Sequence, residues 1–470
     1  MDPHALPVDR DMTCTEKKLK IGFYLGNRLI PHADLRFPEA GNPGVGGSEF
    51  GPVALPYFLS RYSDDIDPVI YANVTGLLPD QVTSVQADNS VSAVRKAIGD
   101  NCQIFVVRLC DRDVTEAFVR EINGSDIRVI AWAHNNPSSR QMAVVAACEN
   151  ISRLVCVGRE ELDLIRDHVV FYKSTYIFNG IHFPTYGKDC RITQRGSTVV
   201  YLGSLVREKG FHVLAKAWPS VKKRIPSAHL IVIGSGSLYN ENAPLGLWGI
   251  ADERYEREFR RFLSDPDGRP DSSVSFLGRI DPGEKISILR QADLGVANPN
   301  FRHKDGTETF CWSAVEFEAC GVPVVSAAED GLLDTVIDHK TGLLVRSVPG
   351  LAGAIVRLLE DNDLNDQFGR NAMNFVRSEF DFEKICSQWR GLFQDVIRNS
   401  PPPIVPMKRN VLYRHKFLRE FLRRMKMQIP RLRAIPALLE IHDIGIRGFL
   451  SRTLSALIRD RKYIPSEEDS

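Results

Sequence analysis

Short apolar runs alternate with longer polar stretches of helical period twice along this chain, and no other feature narrows its fold so far. The first series opens at residues 19–26 (LKIGFYLG) and continues at 69–71, 104–107, 129–132, 154–157 and 176–178. The second restarts at 198–203 (TVVYLG) and continues at 230–234, 274–278, 294–297, 324–325 and 343–345. Runs without internal alternation suit strands buried on both faces, and the helical stretches supply the crossovers that parallel strands need. The expectation is an α/β protein with two doubly wound domains facing across a cleft. A polar segment covers 1–18, the first domain 19–187, the second 188–400, and a basic helical tail 401–470. The linker falls near 183–196, with Pro184, Gly187 and Gly196, and Pro401-Pro402-Pro403 separates the tail. Residues 238–272 are too long and polar for a tight connection and read as a surface insertion.

Charge is unevenly spread. The whole chain carries 60 Lys/Arg and 59 Asp/Glu, which hides a tail (408–462) with fifteen basic and four acidic residues. The body is therefore mildly acidic and is not a general nucleic-acid binder. Nine cysteines, none in a CxxC pair, argue against a disulfide scaffold or structural zinc and fit a reducing compartment. The first eighteen residues have no apolar core of the secretory type, and no run is long enough to span a bilayer, so a cytoplasmic protein is expected.

Three segments could carry chemistry. Gly41-Asn42-Pro43-Gly44-Val45-Gly46-Gly47-Ser48-Glu49 follows the first strand. Its glycines let backbone N–H groups approach an anion, and a helix starting near Ser48 would add its positive end. Pro52 and Pro56 count against a clean helix there. The plain alternative is a flexible loop. Neither Gly44-Val45-Gly46 nor Gly234-Ser235-Gly236 continues to the third glycine of a dinucleotide fingerprint.

Gly203-Ser204-Leu205-Val206-Arg207-Glu208-Lys209-Gly210 is the second segment. It joins a strand to a helix start, where a phosphate would meet both a cation and free N–H groups. A solvated charge cluster is the plain alternative.

The third segment, from Glu308-Thr309-Phe310-Cys311 to Gly321-Val322-Pro323, is the most specific. On one helix, Glu308 and Glu316 would lie about 12 Å apart along the axis. That exceeds the roughly 5–9.5 Å used by two carboxylates flanking one glycosidic bond. Two carboxylates gripping different hydroxyl-bearing parts of a long ligand fit better. Glu318 reads as a solvated neighbour.

Together these segments resemble the retaining glycosyltransferases of family 4 (group 1), which have the GT-B fold of two Rossmann-like domains. The E-x7-E stretch from Glu308 to Glu316, Gly46-Gly47-Ser48-Glu49, Asn179-Gly180-Ile181, Glu208-Lys209-Gly210 and Thr341-Gly342-Leu343-Leu344-Val345 carry the resemblance over residues 19–400. It implies transfer of a sugar from a nucleotide-diphosphate sugar to a glycan, lipid-linked or other acceptor, with no required cofactor or metal. It also implies that Glu308 holds donor-sugar hydroxyls beside the N–H groups of Phe310 and Cys311, and that Glu316 holds the ribose. Lys209 would bind the diphosphate, and Gly46 and Gly47 would let the first domain's loop approach it. His134 would lie near the reacting sugar. The family usually has Arg after Gly203, where this chain has Ser204; Arg207 is the nearest replacement.

Three rival readings remain. A GT-A enzyme would need a metal-binding D-x-D, for which Asp111-Arg112-Asp113 follows a strand, but Asp65-Ile66-Asp67, Asp265-Pro266-Asp267 and Asp361-Asn362-Asp363 match as well. A nucleotide-sugar epimerase shares the two-domain layout. A catalytically degenerate binding or scaffold homologue would explain Ser204. In the tail, apolar residues at 411, 412, 417, 418, 421, 422 and 425 interleave with basic ones. That pattern suits peripheral attachment to an anionic membrane at the inner face, or to a partner protein, rather than to nucleic acid. The alternative is a tail folded back on the body with its cations solvated.

Overall fold

The computed structural model describes residues 18–188, 196–236, 244–301, 308–403, 416–429, 432, 435, 437, 438, 446–451, 453 and 454. The first apolar series forms a seven-stranded sheet: β1 (Leu19–Leu25), β2 (Ile66–Ala72), β3 (Thr83–Gln86), β4 (Ile104–Arg108), β5 (Arg128–Ala133), β6 (Ile151–Cys156) and β7 (Ser174–Tyr176). The second forms six strands: β8 (Thr198–Leu202), β9 (His229–Ile233), β10 (Val274–Gly278), β11 (Leu294–Val296), β12 (Val324–Ala327) and β13 (Gly342–Val345). All pairings are parallel, in the orders β3-β2-β1-β4-β5-β6-β7 and β10-β9-β8-β11-β12-β13. Each order reverses once, between β1 and β4 and between β8 and β11. Such switch points open a crevice beyond the strands' carboxyl ends. The two doubly wound α/β domains and the helical tail are thus as the sequence implied.

Only β3 has no counterpart in the apolar series. Its four residues, TSVQ, lie at the sheet edge with none fully buried, so no hydrophobic run marks it.

Two local expectations are corrected. The helix Gly47–Tyr62 runs unbroken through Pro52 and Pro56. Each proline removes one backbone hydrogen bond, at up to about 3 kcal/mol in a helix interior. Both rings are buried, and residues 50–59 are buried without interruption, so packing of the whole helix outweighs the loss. The stretch 238–272 is not a bare surface insertion, since it contains the helix Glu253–Leu263. Tyr255, Phe259 and Leu263, one helical turn apart, enter the second domain's core. Asp252 caps it by accepting from the N–H groups of Arg254 and Tyr255 at 3.0 and 3.4 Å.

The helix Phe382–Ile397 crosses back to the first sheet. Phe382 stacks on Phe58 at 4.0 Å between ring centroids, Trp389 meets Trp132 edge-on at 5.0 Å, and Phe393 reaches Phe23 of β1. One hydrophobic cluster therefore runs from β1 to the helix Trp312–Ala319 of the second domain.

The tail helix Lys416–Gln428 docks on the first domain with Arg419, Arg423 and Lys426 inward. The fully buried Arg419 pairs with Asp167 at 3.1 Å and donates to the carbonyl oxygens of Asp163 and Leu164. Lys426 lies 3.5 Å from the other Asp167 oxygen. Arg423 donates to the Arg166 carbonyl oxygen at 2.7 Å and covers the rings of Phe171 and Tyr172. So the tail does fold back, with Arg419 and Lys426 buried and Arg423 half-buried rather than solvated, while Arg424 is exposed. Leu418, Phe421, Met427 and Ile429 face outward, as do Ile446, Leu450 and Leu454. The stretch 404–415, including Val411 and Leu412, lies outside the described residues.

Candidate active site

Beyond β8, residues Arg207–Lys209 form one 3-10 turn that stops at Gly210, whose φ of 70° is left-handed. A Cβ there would lie 2.6 Å from the Asn300 amide nitrogen, so only glycine closes the turn against the loop after β11. The turn aims Lys209 at Glu308: Nζ and Oε2 lie 2.6 Å apart, and Asn298 Nδ2 donates to the same oxygen at 2.9 Å. The structure thus joins two sequence-implied residues that lie 99 positions apart. Arg207 points its guanidinium at Glu258 of the helix Glu253–Leu263, so its charge is already engaged. Ser204 is buried.

Glu308 and Glu316 do not share a helix, because the helix spans Trp312–Ala319. The one-helix spacing therefore does not apply to them. Among the described residues, no backbone carbonyl engages the amides of Phe310 or Cys311, which precede that helix. Both side chains are buried, and burial together with the nearby Glu308 charge pushes the Cys311 thiol up to about 12. Glu316 Oε1 accepts from the Tyr186 hydroxyl and pairs with Lys285 Nζ, both at 2.6 Å. Neither partner was foreseen. Tyr186 lies in the linker, and the buried Lys285 is flanked by apolar Ile286 and Leu289 on the helix Pro282–Gln291. A lysine on an apolar helix face was the one legible signal. Glu318 is also corrected, as it is fully buried rather than solvated. Burial raises its carboxyl well above the ordinary range, and among the described residues neither carboxylate oxygen has a hydrogen-bond partner.

The first domain closes the other wall. Gly47 lies directly under the Trp312 ring, where a Cβ would sit 2.3 Å from a ring carbon. Trp312 Nε1 donates to the Gly180 carbonyl oxygen at 3.0 Å, and Gly46 is the N-cap of the helix Gly47–Tyr62. Arg108, at the end of β4, pairs with Glu49 at 2.7 Å and Asp113 at 3.3 Å. Asp113 of the Asp111-Arg112-Asp113 triplet thus serves a side-chain network. His134, after β5, packs on Trp132 at 4.4 Å, and among the described residues neither ring nitrogen has a hydrogen-bond partner. Its backbone oxygen accepts from Thr309 Oγ1 at 2.7 Å, which places it beside the Glu308 loop. Asp334 of the second domain caps the helix Arg159–Leu164 of the first, accepting from the Arg159 and Glu160 N–H groups at 2.7 and 2.9 Å.

Burial and the nearby Arg108 charge push His134 down to about 3, so it is a neutral imidazole at ordinary pH. His168, buried beside Lys426, is pushed down to about 4. The unfolded chain protonates these rings near pH 6.5, whereas the folded chain does not until pH falls to about 4 or below. Acidification through that window therefore favours unfolding, by about 1.4 kcal/mol per pH unit for each ring. His168→Gln should lose less melting temperature than wild type between pH 7.5 and 5. An equal loss would remove His168 from the account.

Comparison with known proteins agrees with this fold. Residues 188–375 match the family described as "Glycosyl transferases group 1". A glycogen synthase of Mycobacterium tuberculosis is 27% identical over 304 residues; the match covers 64% of this chain and 64% of the relative, just under two thirds of its length. The fold resembles a sucrose-phosphate synthase of Thermosynechococcus elongatus, with a TM-score of 0.64 at 19% identity, over 82% of this chain and 100% of that one. It also resembles Anabaena HepE solved with UDP and glucose, with a TM-score of 0.57 at 16% identity, over 80% and 100% of the two chains. The match to the group 1 glycosyl transferases thus falls on the second domain, which carries Lys209, Glu308 and Glu316, and both sheets have the GT-B arrangement of the solved neighbours.

Proposed function

We propose that the chain is a retaining glycosyltransferase that moves a sugar from a nucleotide-diphosphate sugar to a glycan, lipid-linked or other glycoconjugate acceptor. The observation that carries this reading is the Lys209–Glu308 pair at the β8/β11 switch point, one helix start away from Glu316. The donor's diphosphate would replace Glu308 as the partner of Lys209, while Glu308 takes the sugar hydroxyls and Glu316 the ribose. As the C1–O bond to the diphosphate breaks, negative charge collects on the leaving oxygens. Lys209 and the amides of Phe310 and Cys311 are fixed donors for it. An acceptor hydroxyl entering on the same face would form the new C1–O bond and pass its proton to a leaving phosphate oxygen. His134, a neutral imidazole, would line the sugar side.

A panel of UDP-, GDP- and ADP-sugars scored by thermal shift tests the reading. One donor at 100 times its Kd should add about 2.7 kcal/mol to the folded state. No shift with any donor would overturn the transferase reading and favour a degenerate binding homologue.

The tail supports a second element, peripheral attachment at the cytoplasmic face of an anionic membrane. Its outward apolar residues, Leu418 and Phe421 among them, lie in a segment rich in basic residues. Flotation with anionic vesicles should carry wild type and leave the double variant Leu418→Asp, Phe421→Asp behind. Equal flotation of both would remove the tail from this role.

A further inference from the structure

The Glu316 carboxylate is held on one side only. Tyr186 and Lys285 both bind Oε1, and among the described residues nothing donates to Oε2. Lys285 Nζ also donates to the Asn42 carbonyl oxygen in the first domain's glycine-rich loop at 3.1 Å. Arg279 does the same at the next carbonyl, with Nε 3.1 Å from Pro43 O, and Gly44 packs on its side chain. On the loop's other flank, Gly41 has a left-handed φ of 102° and lies against the Tyr186 hydroxyl; a Cβ there would come within 2.4 Å of that oxygen. Linker, glycine-rich loop and two second-domain helices therefore meet around one carboxylate.

We propose that Lys285 is a positioning residue that couples nucleotide capture by Glu316 to the seating of the glycine-rich loop. The proposal rests on the reading of Glu316 as the ribose carboxylate. One ammonium group serves both acceptors, holding Glu316 so that Oε2 faces the ribose diol and drawing the carbonyl of Asn42 against the second domain. A loop seated this way presents Gly46 and Gly47 towards the diphosphate. Without the ammonium, Glu316 would keep a single neutral donor, Tyr186, and Asn42 would lose its cross-domain contact. Charge and reach are both required, so arginine can substitute and methionine cannot.

Titration calorimetry of the full-length protein with UDP, GDP and ADP identifies the diphosphate it takes. That nucleotide is then titrated into Lys285→Met, Lys285→Arg and Glu316→Ala. Amide exchange over residues 42–47 is followed with and without it. Lys285→Met should bind at least about tenfold more weakly, as expected for one half of a buried charge pair. It should also exchange faster across 42–47 even without nucleotide. Lys285→Arg should stay within about threefold on binding and restore protection. If Lys285→Met does not fold, Lys285→Gln, which can serve only one acceptor at a time, should show the same pattern at smaller amplitude. A merely structural lysine would lower the melting temperature without singling out 42–47. Wild-type binding by Lys285→Met (or Lys285→Gln) together with loss in Glu316→Ala would overturn the coupling and leave the donor reading intact. Wild-type binding by Glu316→Ala, or no binding of any diphosphate to wild type, would overturn the donor reading and the coupling with it.

Discussion

Lys209→Ala should lower kcat/KM about 30- to 160-fold, the equivalent of about 2–3 kcal/mol of transition-state stabilisation, and Glu308→Ala at least as much. The pair joins the end of β8 to the loop after β11. On the proposed reading, Lys209 would supply the cation for a leaving diphosphate, and Glu308 the acceptor for sugar hydroxyls. The same substitutions should hardly alter stability. The Lys209 side chain is 29% exposed and that of Glu308 13%, and an ion pair of that exposure contributes about 1 kcal/mol or less. A large kinetic loss at a near-constant melting temperature is thus the signature. Purified variants that turn over at the wild-type rate would remove both residues from the chemistry.

Trp389→Ala should cost about 3–5 kcal/mol, a large part of the 5–15 kcal/mol that holds a typical domain together. Trp389 is fully buried on the helix Phe382–Ile397 and meets both Trp132 and Phe393. Trp132 in turn packs on His134, so the cavity would open directly behind the site. Trp389→Phe should cost much less, because its ring refills most of the space and, among the described residues, the indole nitrogen of Trp389 has no hydrogen-bond partner to lose. Urea denaturation of the three proteins measures the difference. A loss below about 1 kcal/mol for the alanine variant would show that this helix does not hold the first domain's core.

The placement of much of the candidate site was legible because its motifs are local. Glycines, a lysine at a turn and a glutamate before a helix act through backbone geometry that a few neighbouring residues dictate. The loop at 41–49 and the turn at 203–210 therefore lie where the residue pattern suggested. Prolines misled for the opposite reason: the penalty at Pro52 and Pro56 is local, whereas the burial that outweighs it comes from the sheet and the crossing helix. Glu318 misled likewise, since a glutamate's default is solvent and nothing in its neighbours announces that Thr341 and the surrounding core enclose it. The Arg/Glu-rich helix Glu253–Leu263 hid a narrow apolar stripe in a polar composition.

Taken alone, the sequence determined the alternation of strand and helix, the two-sheet architecture it demands, and the residue types at both switch points, because strand burial and turn geometry are written in short-range patterns. Only the tertiary structure decided who partners whom. Tyr186 reaches Glu316 across 130 positions, Lys285 bridges two domains, and Arg419 turns a basic tail inward onto Asp167. Electrostatic attraction and desolvation depend on distance and burial in space, and chain order specifies neither until the core has closed.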